Sequence, residues 1–117
     1  MSRRAKTSST GGETINDLLS KLSQQLSEPA MKSTARLTIL ITLALNGKMT
    51  FSDLLAITAL GKGSLSNHLE KLRDNGLIRV RTVFKIDGPR LLVEITEEGL
   101  NAYMNYSTIL EKLMASS

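Results

Sequence analysis

The chain has 117 residues, 41% of them apolar and 3% aromatic, with 15 Lys and Arg against 11 Asp and Glu for a formal charge of +4. That length fits one small domain with an aliphatic core. The absence of cysteine excludes disulfides, thiolate metal sites and thiol chemistry. The longest nearly apolar stretch, Leu37 to Leu45, is far shorter than the roughly 20 residues of a membrane helix.

Residues 1–12, MSRRAKTSSTGG, have no apolar periodicity and are rich in Ser, Thr and Gly, a composition that cannot offset the entropy of ordering. A disordered basic tail is expected there. Arg3, Arg4 and Lys6 lead into polar residues rather than the apolar run of a signal peptide, so the product is expected in the cytoplasm with no membrane partner. From Glu13, residues Ile15, Leu18, Leu19, Leu22 and Leu26 fall on one helical stripe with Asp17, Lys21 and Gln25 elsewhere, predicting an amphipathic helix that ends near Pro29. A second helix, about Ala30 to Leu45, is apolar on most sides and should be the central one. Asn46 and Gly47 stop it. Thr50, with Asp53 three residues on, opens a short helix to about Thr58 with Leu54, Leu55 and Ile57 on its inner side.

Leu60 and Gly61 then make a tight turn into a helix from Lys62 to Asn75, whose apolar residues are Leu65, Leu69 and Leu72 and whose stop is Gly76. Leu77 to Ile86 reads as a strand, because Ile78, Val80, Phe84 and Ile86 alternate with Arg79, Arg81, Val83 and Lys85. Asp87, Gly88 and Pro89 turn the chain. Leu91, Val93 and Ile95 mark the return strand, and Thr96 with Glu97 and Glu98 caps a last helix to about Met114. The predicted fold is mostly α with a small β-hairpin, in the order of a winged helix-turn-helix with additional N- and C-terminal helices. It occupies residues 13–117 as one domain.

The charge is uneven: six cations to three anions over residues 1–47, eight to four over 48–90, and one to four over 91–117. A basic middle suits a polyanion, and an acidic end suits another task such as self-association. The last helix carries Leu100, Tyr103, Met104, Tyr106, Ile109, Leu110, Leu113 and Met114 on more than one face, more apolar surface than so small a domain can bury. Homodimerisation through Ile15, Leu18, Leu19, Leu22 and Leu26 with Tyr103, Tyr106, Leu110, Leu113 and Met114 is the expected outlet. The alternative is that these helices fold back on their own domain.

The stretch GSLSNHLEKLRDNGLI, Gly63 to Ile78, resembles the recognition helix of ArsR/MarR-type winged-helix transcription regulators. Arg36 to Leu54 is similar to the family's first helix and the start of its helix-turn-helix, and Pro89, Arg90 and the Thr96 to Gly99 pattern match its wing and following helix. The likeness runs from about Arg36 to Tyr103 and points to the small single-domain prokaryotic branch. It implies DNA binding. Two departures stand out: glycine at position 61, where relatives often carry a Ser or Thr cap, and no cysteine ligands of the kind that metal-sensing members use.

A helix entering the major groove needs short polar or bidentate side chains near its N-terminal half, and Asn67 has the donor and acceptor pair suited to adenine. Gly63 lets the backbone approach, and Lys62, Ser64, Ser66 and Lys71 complete the expected contact set on this helix. The sole histidine, His68, sits at the border of the apolar face, where packing with one nitrogen turned to a phosphate or a neighbouring helix is expected. On the hairpin, Arg79, Arg81, Lys85 and Arg90 are expected to follow phosphates or reach the minor groove. Lys48 and Arg73 could add phosphate contacts.

No phosphate loop, recognisable carboxylate pair or metal cluster is present in the sequence, and Ser64 with His68 lacks a third orienting group. Neither an enzyme nor a cofactor is expected. The leading function is a dimeric, sequence-specific regulator of transcription that binds double-stranded DNA. A nucleoid-packaging protein of low specificity and a winged-helix protein-interaction module are the alternatives. A small-molecule effector acting on the dimer is compatible with this reading.

Overall fold

The computed structural model describes residues 12–116, so the expected disordered tail lies almost wholly outside the described residues. Thr14 opens the first helix with a reciprocal cap: its hydroxyl accepts from the Asp17 amide at 3.0 Å and its own amide donates to the Asp17 carboxylate at 3.2 Å. The helix, α1, is Ile15–Leu26. The second helix, α2, is Thr34–Asn46 and begins later than the expected Ala30. Ser33 accounts for the difference, since its hydroxyl accepts the Arg36 amide at 3.2 Å and caps the helix there. Ala30 and Met31 precede that cap as buried turn residues.

A strand of three residues, β1 (Lys48–Thr50), follows α2. Helices α3 (Phe51–Thr58) and α4 (Lys62–Asp74) come next, then strands β2 (Ile78–Lys85) and β3 (Gly88–Ile95), and last α5 (Glu97–Ala115). The sheet is antiparallel in the order β1-β3-β2. β1 was not legible from alternation, and it forms because Lys48, Met49 and Thr50 pair with Glu94, Val93 and Leu92. This third strand anchors the hairpin to the α2–α3 connection.

Ile39 and Leu43 of α2, Leu54 of α3, Leu65 and Leu72 of α4 and Val93 of β3 are fully buried in one cluster. The core is aliphatic, as the composition requires, and α2 runs through its centre. The hairpin departs from its expected inward face. Ile78 and Val93 are buried, but Phe84 is 82% exposed and Ile86 is fully exposed. Ile86 and Asp87 form the turn itself, with Gly88 and Pro89 already in β3. Alternation sorts side chains between two faces, but the hairpin is longer than the body beneath it.

Helices α1 and α5 lie side by side in the same chain. Glu13 bonds to Lys112 at 3.0 Å and to Lys21, while Gln25 Nε2 donates to the Ala102 carbonyl at 2.7 Å. The two lysines hold the Glu13 carboxyl below the usual range, Lys21 more than Lys112. Two sequence readings change here. Gln25, placed on the polar side, is buried; Leu18, expected at a dimer interface, is 1% exposed within its own chain. Their burial comes from α5 folding back on α1. At its other end α5 is seated on the turn after α4, where Thr96 Oγ1 donates to the Gly76 carbonyl at 2.6 Å and accepts the Gly99 amide at 3.0 Å. Gly99 has to be glycine: a Cβ would collide with the Leu77 carbonyl oxygen.

The result is elongated, 61 × 22 × 21 Å with a radius of gyration of 17.2 Å.

Candidate nucleic-acid interface

The helix-turn-helix is built around Ala59, which closes α3 in the left-handed region at φ 58°. Two residues later Gly61 caps α4 with no side-chain hydrogen bond, so the first turn of α4 relies on its own backbone. The buried row Leu65, Leu69 and Leu72 seats the helix on the core. Lys62, Gly63, Ser64, Ser66, Asn67 and Lys71 are all exposed. The structure thus brings the six expected α4 residues together along one solvent-facing helix.

His68 is half-buried, and its Nδ1 lies 3.2 Å from Nη1 of Arg36 on α2. Arginine can only donate, so this nitrogen accepts and the proton of the neutral ring sits on Nε2. Burial first, then the charges of Arg36 and Lys71, hold the imidazole below its ordinary pKa. Arg36 also donates from Nε to the Ala30 carbonyl at 3.0 Å and from Nη2 to the Pro29 carbonyl at 2.9 Å. One buried guanidinium therefore ties the α1–α2 connection to α4. Sequence reasoning did not assign Arg36 this role, although it is the only charged residue of α2, and a lone cation in an apolar helix is a signal for a buried polar anchor.

On the hairpin, the register sets Arg79, Arg81, Lys85 and Arg90 on one face. Glu94 shares that face and was missed as their partner. It bonds Arg81 at 2.9 Å and lies 3.9 Å from Arg79. The hydrogen bond from Arg81 is the main cause of a lowered Glu94 pKa, and the same bond raises that of Arg81. Arg90 pairs with Asp87 at 2.5 Å. Lys85 is exposed at the tip and makes no ion pair among the described residues. Lys48 faces Glu94 in the ladder, and Arg73 approaches Glu70 and Asp74 at 3.8 and 3.9 Å. Cations outnumber anions on the wing, but most are shared. Val80 and Leu91 border Ser66, Glu70 and Arg73 of α4 around a cleft of about 230 Å³, so wing and helix meet on one side of the domain.

The model of the winged helix DNA-binding domain matches residues 35–114. The chain belongs to that family. Its winged helix is similar to the structure of a transcriptional regulator homologue from Pyrococcus horikoshii OT3, at 28% identity and a TM-score of 0.72 over 83% of this chain and 96% of the other. A regulator assigned to the MarR family from Enterococcus faecalis V583 shares the fold at 18% identity, with a TM-score of 0.65 and coverage of 91% and 89%. The MepR protein of S. aureus, determined as a complex with DNA, shares it at 17% identity and 0.69, over 86% and 82%. No curated protein sequence matches the chain. The winged helix is that of a DNA-binding regulator type, and among the described residues no helix is long and apolar enough to cross a membrane.

Proposed function

We propose that the chain is a homodimeric regulator of transcription that reads double-stranded DNA in the cytoplasm, with α4 in the major groove and the wing on the backbone or minor groove. The observation that carries this reading is the row of exposed polar residues on α4, with Asn67 at its centre, next to a hairpin of net positive charge. In this arrangement Asn67 reads a base edge, Ser64 and Ser66 supply short hydrogen bonds, and Lys62, Lys71 and Lys85 neutralise phosphates. Arg79, Arg81 and Arg90 contribute the charge that Glu94 and Asp87 leave over. The surface for a second copy is the apolar remainder of the terminal helices. Leu19 is 45% exposed, Met104 54% and Met114 74%, and Ile41, Tyr103, Tyr106, Leu110 and Met114 line a groove of about 330 Å³.

The test is a competition binding assay with fragments selected from genomic DNA against random duplex. A specificity ratio above about 10³ supports a regulator. A ratio near one supports a packaging protein, and no binding supports a protein-interaction module.

A further inference from the structure

The face of the hairpin opposite the arginines has no role in the reading above. The register pairs Phe84 with Pro89, Thr82 with Leu91 and Val80 with Val93, so these six side chains share one surface. It starts in the core at Val93, passes Leu91 at 45% exposure and ends on Phe84 at 82%, with Ile86 fully exposed in the adjoining turn. An apolar strip therefore leaves the domain beside α4 and finishes bare at the wing tip.

We propose that Phe84 and Ile86 form an apolar wedge that enters the minor groove, unstacks one base step and bends the duplex. The inference rests on the DNA-binding reading and adds a deformation to it. Three observations support DNA as the occupant. Phe, Ile and Pro are the side chains that such wedges use. Arg90 is paired with Asp87 in the turn, while Lys85, between the two wedge residues in sequence and on the opposite face, makes no ion pair among the described residues, so the tip keeps a net positive charge where the phosphates of the groove walls would stand. The bare patch amounts to a few side chains, far less than the roughly 800 Å² per partner of a stable protein interface. A wedge also confers selectivity without a base hydrogen bond, because pyrimidine–purine steps unstack most readily.

The experiment measures DNA bending and base unstacking, by end-to-end energy transfer and 2-aminopurine fluorescence on a duplex selected from genomic DNA, with the full chain and its Phe84→Ser/Ile86→Ser variant. Both side chains are exposed, so the variant should melt like the wild type. The wild type is expected to bend the duplex and raise the fluorescence at one step. The variant should bind a straight duplex, roughly tenfold more weakly because burial of two apolar groups is largely offset by unstacking, and with an unchanged salt dependence because no charge is removed. Equal bending by the variant, or binding of an unbent duplex by the wild type, overturns the wedge and leaves the DNA-binding reading intact. Failure of the wild type to bind any duplex overturns both.

Discussion

Arg36 directs one N–H from each of its three guanidinium nitrogens to two carbonyls and an imidazole, and the consequence falls on His68. With its folded pKa lowered, the unfolded chain binds more protons than the folded one around and below the ordinary value of about 6.5. The stability that this histidine permits is complete above that value. It is lost as the pH falls through it towards the folded pKa and changes no further below. The urea midpoint should therefore drop between pH 7.5 and 5.5, and drop less in His68→Gln, whose amide oxygen can accept from Arg36 but does not titrate. A second prediction at this scale concerns Asn67. Its replacement by Ala should cost about 1–3 kcal/mol on the preferred site and little on random DNA in a titration at fixed salt; equal losses would make it a phosphate contact. The exposure of Asn67 was legible because the leucines three and four residues apart fix the helix face. That His68 turns one nitrogen to a neighbouring helix was expected, but that the partner is Arg36 was not legible, because the two residues are far apart in the chain.

At the scale of elements, the caps were the most readable features: Thr50, Gly47, Gly76 and Thr96 lie where polar or small residues interrupt apolar periods, and each ends or starts a helix. Strand β1 was hidden because three residues are too few to alternate and its partner strand is more than 40 positions away. The hairpin's faces were legible while its overhang was not, since period two says nothing about how far the core extends beneath it. Gly99 shows what a short motif can conceal. The sequence presents it as part of a helix opening, and the structure makes it the point at which α5 touches the turn after α4. Gly99→Ala should lower stability by about 1–3 kcal/mol through overpacking, seen as a reduced urea midpoint with an unchanged slope. A variant as stable as the wild type would mean that α5 is not seated there.

The whole molecule separates its two proposed tasks, with the reading helix and wing on the domain body and apolar surface along the paired terminal helices. If those helices join two copies, the recognition helices are related by a two-fold axis and the preferred DNA is an imperfect palindrome with half-sites about 10 bp apart or a multiple of that. Leu110→Glu/Leu113→Glu should then yield monomers of unchanged helical content by circular dichroism, which bind a full site no better than a half-site. Part of this region's apolar stripe was misjudged from sequence because the stripe alone cannot tell which neighbour, its own α5 or another copy, will cover Leu18.

The elongated outline also governs how the protein behaves in solution. A compact chain of this length has a radius of gyration of about 13 Å, and one twice as long about 17–18 Å, whereas a single copy here already reaches 17.2 Å. Gel filtration sorts particles by hydrodynamic size, so a lone elongated protomer should elute in the volume of a compact pair. Sedimentation equilibrium and light scattering respond to mass instead, and by those methods the wild type should weigh twice what the double-glutamate variant does.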